Sequence, residues 1–208
     1  MSSIQADPTS FAFTDENMDL VKKAIAKYPE GRQMSAVKTL LDIAQRQMAA
    51  QTGSAWLPRA AMDKVAEILG VAPIRVYEMA TFYTMYNLRP VGKYHLQVCT
   101  TTPCWLRGSD DIVAACKKAA GVADFGETSA DGLFTLREVE CLGACVNAPI
   151  LQINDDYYED LDASRVEGLL GDLKAGKPPP PAGSLGGRTS TAPASGQTTL
   201  LSAPGSAE

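Results

Sequence analysis

Leu133-Phe134-Thr135-Leu136-Arg137-Glu138-Val139-Glu140-Cys141-Leu142-Gly143-Ala144-Cys145 reads as a β-strand that runs straight into two closely spaced cysteines. A second stretch has the same build. Tyr94-His95-Leu96-Gln97-Val98 is a short strand-like run ending on Cys99, and Cys104 follows in Cys99-Thr100-Thr101-Thr102-Pro103-Cys104. Between the two, Ser109 to Ala120 carries Ile112, Val113, Ala115 and Cys116 at helical spacing, and Gly121 can end that helix. After the second pair, Pro149–Ile153 reads as a third strand, Asn154-Asp155-Asp156 as a turn, and Tyr157-Tyr158 as the start of a fourth strand closing a hairpin. Asp162-Ala163-Ser164 then caps a last helix through Val166, Leu169, Leu170 and Leu173. Strand–helix–strand, hairpin, helix is the order of a small thioredoxin-like α/β domain, with its first two strands parallel across a right-handed crossover. Both cysteine pairs follow the C-terminal ends of strands, so they fall at one edge of the sheet, where open α/β folds keep their sites.

On either side of these pairs the chain divides by pattern. Residues 15–89 read as an N-terminal helical region and residues 90–174 as the thioredoxin-like domain. Leu20, Val21, Ala24 and Ile25 form the apolar side of a first helix that stops at Pro29 and Gly31. Ser35 is placed to cap a second helix with Val37, Leu40, Leu41, Ala44 and Met48 inward. Pro58 suits the first turn of a third, and Pro73 opens a fourth that carries Val76 and an aromatic series, Tyr77, Phe82, Tyr83 and Tyr86, spaced like a helix core or an interface, with the core reading favoured. Residues 1–14 read as a loose lead-in. From 175 to 208 the chain turns to proline, glycine, serine, threonine and alanine, too poor in apolar side chains to offset its ordering entropy, so a disordered tail is expected.

Composition excludes several classes. A net charge of −5 over 208 residues gives no basic stripe for nucleic acid. No apolar run is long enough to span a bilayer, so no direct membrane insertion is expected. The N-terminus has neither the basic-then-apolar form of a secretion signal nor the Arg-rich form of a mitochondrial presequence. A reducing compartment is therefore expected, most simply a bacterial cytoplasm, with a processed mitochondrial protein as the alternative. There, paired cysteines are more often metal ligands than disulfides.

Cys99, Cys104, Cys141 and Cys145 can close a cage of four soft thiolates, which suits an iron–sulfur cluster or zinc. A [2Fe-2S] cluster takes two sulfurs per iron, so spacing assigns Cys99 with Cys104 to one iron and Cys141 with Cys145 to the other. Zinc tolerates the same spacings and remains open. Two features tilt toward the cluster: the domain has a core of its own, and Gly143, Thr100, Thr101 and Thr102 offer donors to sulfur. The single histidine, His95, rules out a Rieske centre built from this chain, and neither pair is Cys-x-x-Cys. Cys116 reads as a small buried hydrophobe, His95 as a structural strand residue and Arg107 as a solvated surface cation. There is no dinucleotide fingerprint, phosphate loop or credible nucleophile–base pair, so no substrate site is expected in this chain.

Four segments, in order, resemble the thioredoxin-like [2Fe-2S] subunits of the 24 kDa type found in respiratory complex I. They are Ala80-Thr81-Phe82-Tyr83-Thr84-Met85-Tyr86, Cys99 to Cys104, Glu140-Cys141-Leu142-Gly143-Ala144-Cys145, and Asn147-Ala148-Pro149 running on to Tyr157-Tyr158-Glu159-Asp160-Leu161. The resemblance spans roughly residues 15–175. It implies one [2Fe-2S] cluster on Cys99, Cys104, Cys141 and Cys145, exchanging electrons with the FMN of a partner flavoprotein that also binds NADH. It implies an electron-carrying, non-catalytic role among the peripheral-arm subunits of an NADH:quinone oxidoreductase, on the cytoplasmic or matrix side of the membrane. Related subunits serve soluble NAD-linked formate dehydrogenases and hydrogenases, and the motif does not separate these from complex I. From a different class, a zinc-stabilised scaffold without redox function is the rival.

Overall fold

The computed structural model describes residues 7–190, 192, 193, 195–197, 199 and 201. Residues 1–6 of the expected lead-in, and 191, 194, 198, 200 and 202–208 of the expected tail, lie outside the described residues. The chain divides into two compact units, Met1–His95 with Glu127–Thr135, and Leu96–Gly126 with Leu136–Glu208.

The first unit is built on four helices, α1 (Asp15–Ile25), α2 (Val37–Thr52), α3 (Arg59–Leu69) and α4 (Pro73–Phe82). Thr14 caps α1, its hydroxyl accepting from the Asn17 N–H at 3.3 Å, with Asp15 and Glu16 in the first turn and Lys22 and Lys23 in the last. That charge order complements the helix dipole. Ser35 does not cap α2. It lies in a 3-10 turn, Gln33–Ala36, that leads into the helix. Pro58 stands one residue before α3 rather than inside it, whereas Pro73 takes the first position of α4 as expected. Leu40, Leu41, Val65, Val76 and Ala80 are buried together in the core. Phe13 joins them and Phe11 packs alongside, their rings edge to face at 5.0 Å, so the end of the lead-in is anchored rather than loose. Buried Gln47 completes the anchor: its Oε1 accepts from the Thr14 N–H and the Asn17 amide, and its Nε2 donates to the Ala12 carbonyl. A buried amide with its hydrogen bonds met fixes one arrangement of its neighbours.

The aromatic series departs from the core reading. Helix α4 ends at Phe82, and Phe82 is 77 % exposed. Tyr83 is partly buried, and Tyr86 is buried with its hydroxyl donating to the Lys38 carbonyl at 2.7 Å. Burial pushes the Tyr86 phenol up to about 12. The chain leaves helical geometry at Tyr83, so the expected periodicity no longer decides which ring faces inward.

The second unit holds most of a five-stranded sheet ordered β2-β1-β3-β4-β5, with β1 at Tyr94–Cys99, β2 at Phe134–Val139, β3 at Leu151–Ile153, β4 at Asp156–Glu159 and β5 at Gly183–Ser184. Strands β1 and β3 are antiparallel, with Leu96 opposite Ile153 and Val98 opposite Leu151. The hairpin between β3 and β4 sets Leu151 opposite Tyr158. Asn154 turns it at φ 55°, a conformation asparagine tolerates. Three helices follow the sequence order: a short α5 (Thr102–Leu106), α6 (Ser109–Ala120) and α7 (Ala163–Lys174). Helices α6 and α7 pack together, bridged by Lys118 and Glu167 at 2.8 Å. Asp162 caps α7 as expected, accepting from the Arg165 N–H. Leu96, Val98, Ile112, Cys116, Leu136, Leu151, Val166, Leu170 and Leu173 are all buried, which gives the thioredoxin-like order its core.

The tail departs from expectation in its first part. Gly183–Ser184 adds a fifth, parallel strand to β4, and the Leu185 N–H donates to the Glu159 carbonyl at 3.0 Å. Composition could not show this, because backbone hydrogen bonds rather than apolar side chains hold the segment.

Candidate metal centre

Cys99 is the last residue of β1 and is buried. Its neighbour Cys104, also buried, sits on α5, so the expected loop is in fact one short helix turn that swings the second sulfur back toward the first. Cys141 follows the end of β2 and is exposed, and Cys145 opens a 3-10 turn, Cys145–Asn147. The Cys141 and Cys145 sulfurs are 3.4 Å apart. Leu142 and Ala144, from between these two, pack against Cys99, Cys104 and Ile150, and the Tyr157 hydroxyl holds the Leu142 carbonyl at 3.0 Å. The two strand ends therefore bring the Cys141–Cys145 loop against the buried Cys99 and Cys104.

The electrostatics record that convergence. Burial pushes the Cys99 thiol up, but the Thr101 hydroxyl 3.3 Å away, the N–H groups of Leu142 and Thr101, and Cys104 outweigh it. The Cys99 thiol is held below its ordinary value as a result. Its partner Cys104 carries the opposite burden. Burial first, then Cys99 beside it and the charge of Cys145, push Cys104 up to about 12, against the pull of the Ile150 N–H. Cys145 is raised by its hydrogen bond with Cys141, by burial, and by the charges of Cys141 and Cys99. Deprotonated together, the four sulfurs would repel one another, and a cationic core would relieve that repulsion. Among the described residues, no three His, Cys, Asp or Glu side chains gather around one metal ion. The sulfurs come as two twos, the grouping a two-iron core requires, so the donor set fits a [2Fe-2S] cluster.

Several expectations resolve here. Thr101 serves sulfur as expected, whereas Thr100 gives its hydroxyl to Glu138 at 2.5 Å. Arg107 is exposed, and among the described residues its side chain reaches only the Ala148 carbonyl, at a long 3.5 Å. His95 is buried in β1. Cys116 is fully buried in α6, where burial pushes its thiol up to about 12. The Leu142 and Ile150 N–H groups carry no signal in the sequence, since any residue offers one. Asn147 has no evident role by residue type, yet it is buried and its amide donates to Glu159 at 2.6 Å.

A labelling order follows. The thiolate is the reactive form, so burial and a raised pKa both slow alkylation. In the reduced, metal-free chain at neutral pH, Cys141 should be modified first and Cys116 last, with Cys104 also slow. Peptide mapping by mass spectrometry reads the order, and Cys116 reacting as fast as Cys141 would contradict the burial described here.

An α/β domain with paired cysteines at the C-terminal ends of adjacent strands defines an iron–sulfur carrier of thioredoxin-like architecture. The chain belongs to the thioredoxin-like [2Fe-2S] ferredoxin family, which matches residues 21–174. It is 54% identical over 166 residues to a subunit of the NADH-quinone oxidoreductase of Rickettsia conorii, covering 80% of this chain and 96% of that protein. It is 49% identical over 199 residues to the mitochondrial NADH dehydrogenase (ubiquinone) flavoprotein 2 of Dictyostelium discoideum, covering 94% of this chain and 76% of that one. Among solved structures it is similar to an NAD+-reducing [NiFe]-hydrogenase chain, with a TM-score of 0.57 at 20% identity over 68% of this chain. The match spans 23% of that hydrogenase chain, and the likeness concerns the fold.

Proposed function

We propose that this chain is an electron-transferring subunit of an NADH:quinone oxidoreductase, holding one [2Fe-2S] cluster on Cys99, Cys104, Cys141 and Cys145. The observation that carries the reading is the gathering of two cysteine pairs from two strand ends, with backbone N–H groups turned toward their sulfurs. The identity to subunits named for that oxidoreductase supports it. When bound, the cluster supplies a one-electron couple. The chain's part is to hold and tune it. The N–H groups of Leu142, Thr101 and Ile150 stabilise negative charge on sulfur, and the buried pair keeps water from one side.

The electron partner is a flavoprotein subunit that binds NADH and FMN, within a larger peripheral assembly. This chain touches neither NADH nor quinone and is not itself catalytic. It works on the cytoplasmic face of a bacterial inner membrane, or the matrix face in a mitochondrion. No helix among the described residues is long and apolar enough to cross a membrane. Purification of the native complex through a tag on this chain tests the reading. An FMN-containing subunit together with membrane-embedded subunits is expected. A molybdenum or nickel subunit in their place would assign the chain to a soluble formate dehydrogenase or hydrogenase instead.

A further inference from the structure

The Cys141–Cys145 loop is connected to the C-terminal extension through Asn147 and a series of hydrogen bonds. Asn147 closes the turn that Cys145 opens. Its side-chain amide donates to the Glu159 carboxylate at 2.6 Å, and its carbonyl accepts the Asp160 N–H at 2.7 Å. Asp160 is held at φ 52°, a left-handed backbone that costs a non-glycine residue energy and persists only where its surroundings fix it. The surroundings here are Asn147, Arg165, whose guanidinium donates to the Asp160 carbonyl at 2.6 Å, and the extension. The Ser184 hydroxyl donates to the Asp160 carboxylate at 2.5 Å, and the Leu185 N–H donates to the Glu159 carbonyl at 3.0 Å. The same Ser184 oxygen accepts the N–H groups of Gly186 and Arg188, both at 3.1 Å, so the segment curls around this one side chain. Gly186 lies so close that a Cβ there would sit 3.0 Å from the Asp160 Cβ.

The grip is polar rather than packed. A cleft of about 410 Å³ separates the segment from α7, lined by Leu169, Asp172, Pro178 and Leu185 among others. Further back, the Tyr158 hydroxyl donates to the Pro180 carbonyl at 3.1 Å, and the Lys177 ammonium donates to the Asp172 carboxylate of α7 at 2.7 Å. The match to the family ends at residue 174, ahead of the segment.

We propose that residues 183–188 form a strap that braces the Cys141–Cys145 loop through Asp160, Glu159 and Asn147, with Ser184 as its positioning residue. The proposal rests on reading Cys141 and Cys145 as cluster ligands. The strap fixes the less buried side of the site, and thereby slows escape of the metal from Cys141 and Cys145.

Amide hydrogen exchange and chelator-driven metal release test this on the full chain and its variants. In Ser184→Ala the Asp160 and Leu185 amides should exchange about three- to tenfold faster, as expected for loss of one net hydrogen bond. The Leu96 and Val98 amides of β1 should be unchanged, and release to a chelator should quicken by a similar factor. Ser184→Thr keeps the hydroxyl and should restore both rates, and removal of residues 177–208 should exceed Ser184→Ala at Asp160. Unchanged Asp160 protection in both Ser184→Ala and the shortened chain would overturn the strap. A uniform rise across every strand would overturn it too, since that reports general destabilisation. The exchange arm needs no cluster. Failure of the strap is therefore distinguishable from failure of the cluster reading, which metal content decides.

Discussion

Cys141→Ala should leave the chain without a normally coordinated [2Fe-2S] cluster, while Cys116→Ala should retain two irons and two sulfides. The contrast follows from where the two thiols stand. Cys141 lies beside Cys145, their sulfurs 3.4 Å apart, with the Leu142 N–H next to it turned toward Cys99. On the proposed ligand set, its removal would take one of two sulfurs from an iron and leave Cys145 alone on that side. Losing an outer hydrogen-bonding partner costs about 10–100-fold in metal affinity, and losing a ligand should cost more. Cys116 is fully buried in α6, its thiol pushed up to about 12 by burial alone, with no other cysteine among the causes. Its replacement removes one small apolar group, at a cost of about 1 kcal/mol in stability. Iron and acid-labile sulfide per chain, with the visible absorption spectrum, read the difference. Cluster loss in Cys116→Ala would show that the ligand set is wrong.

Gly92→Ala should destabilise the first unit by about 3 kcal/mol. A Cβ at residue 92 would stand 2.8 Å from the Phe134 carbonyl carbon and 2.9 Å from the carbonyl carbon and oxygen of Leu133. Those are backbone atoms, and they are already committed. The Tyr94 N–H donates to the Leu133 carbonyl at 2.8 Å, and the Gly92 N–H donates to the Thr135 hydroxyl at 2.6 Å. A side chain can swing away from a new methyl group, but this backbone can move only by breaking those bonds. Gly168→Ala provides the opposite case. It lies on the exposed side of α7 with nothing within 4 Å of the added Cβ, so alanine should stabilise by about 0.5–1 kcal/mol. Urea unfolding of the parent and both variants measures the two effects. A Gly92→Ala midpoint equal to the parent's would contradict the close approach of the Gly92 and Leu133 segments.

The parts of this molecule that sequence exposes are those set by local periodicity and by rare side chains. Cysteines are scarce, and their pairing after two strand-like runs marks the site. Helices α1 to α4 follow from apolar spacing with Gly and Pro punctuation, and Asp162 announces α7 through its cap. What sequence conceals depends on backbone and on distance. The N–H groups of Leu142 and Ile150 reach sulfur because of how strands meet, and no residue type marks that. Gln47 looks like any helical surface glutamine until Ala12, Thr14 and Asn17 fold onto it. Phe82 and Tyr86 share one apparent stripe, yet the helix ends between them and one ring stays in solvent. The strap at residues 183–188 is hidden for a related reason. Its composition signals too little apolar surface to order by burial, and it is held instead by Ser184, Tyr158 and the edge of β4.

Iron, acid-labile sulfide and zinc determined together on the freshly isolated chain decide what the four thiolates hold. Two irons and two sulfides per chain, with zinc negligible and a rhombic EPR signal after reduction, are the result expected of a [2Fe-2S] centre on Cys99, Cys104, Cys141 and Cys145. Stoichiometric zinc without sulfide, in a colourless protein that a chelator unfolds, would contradict it.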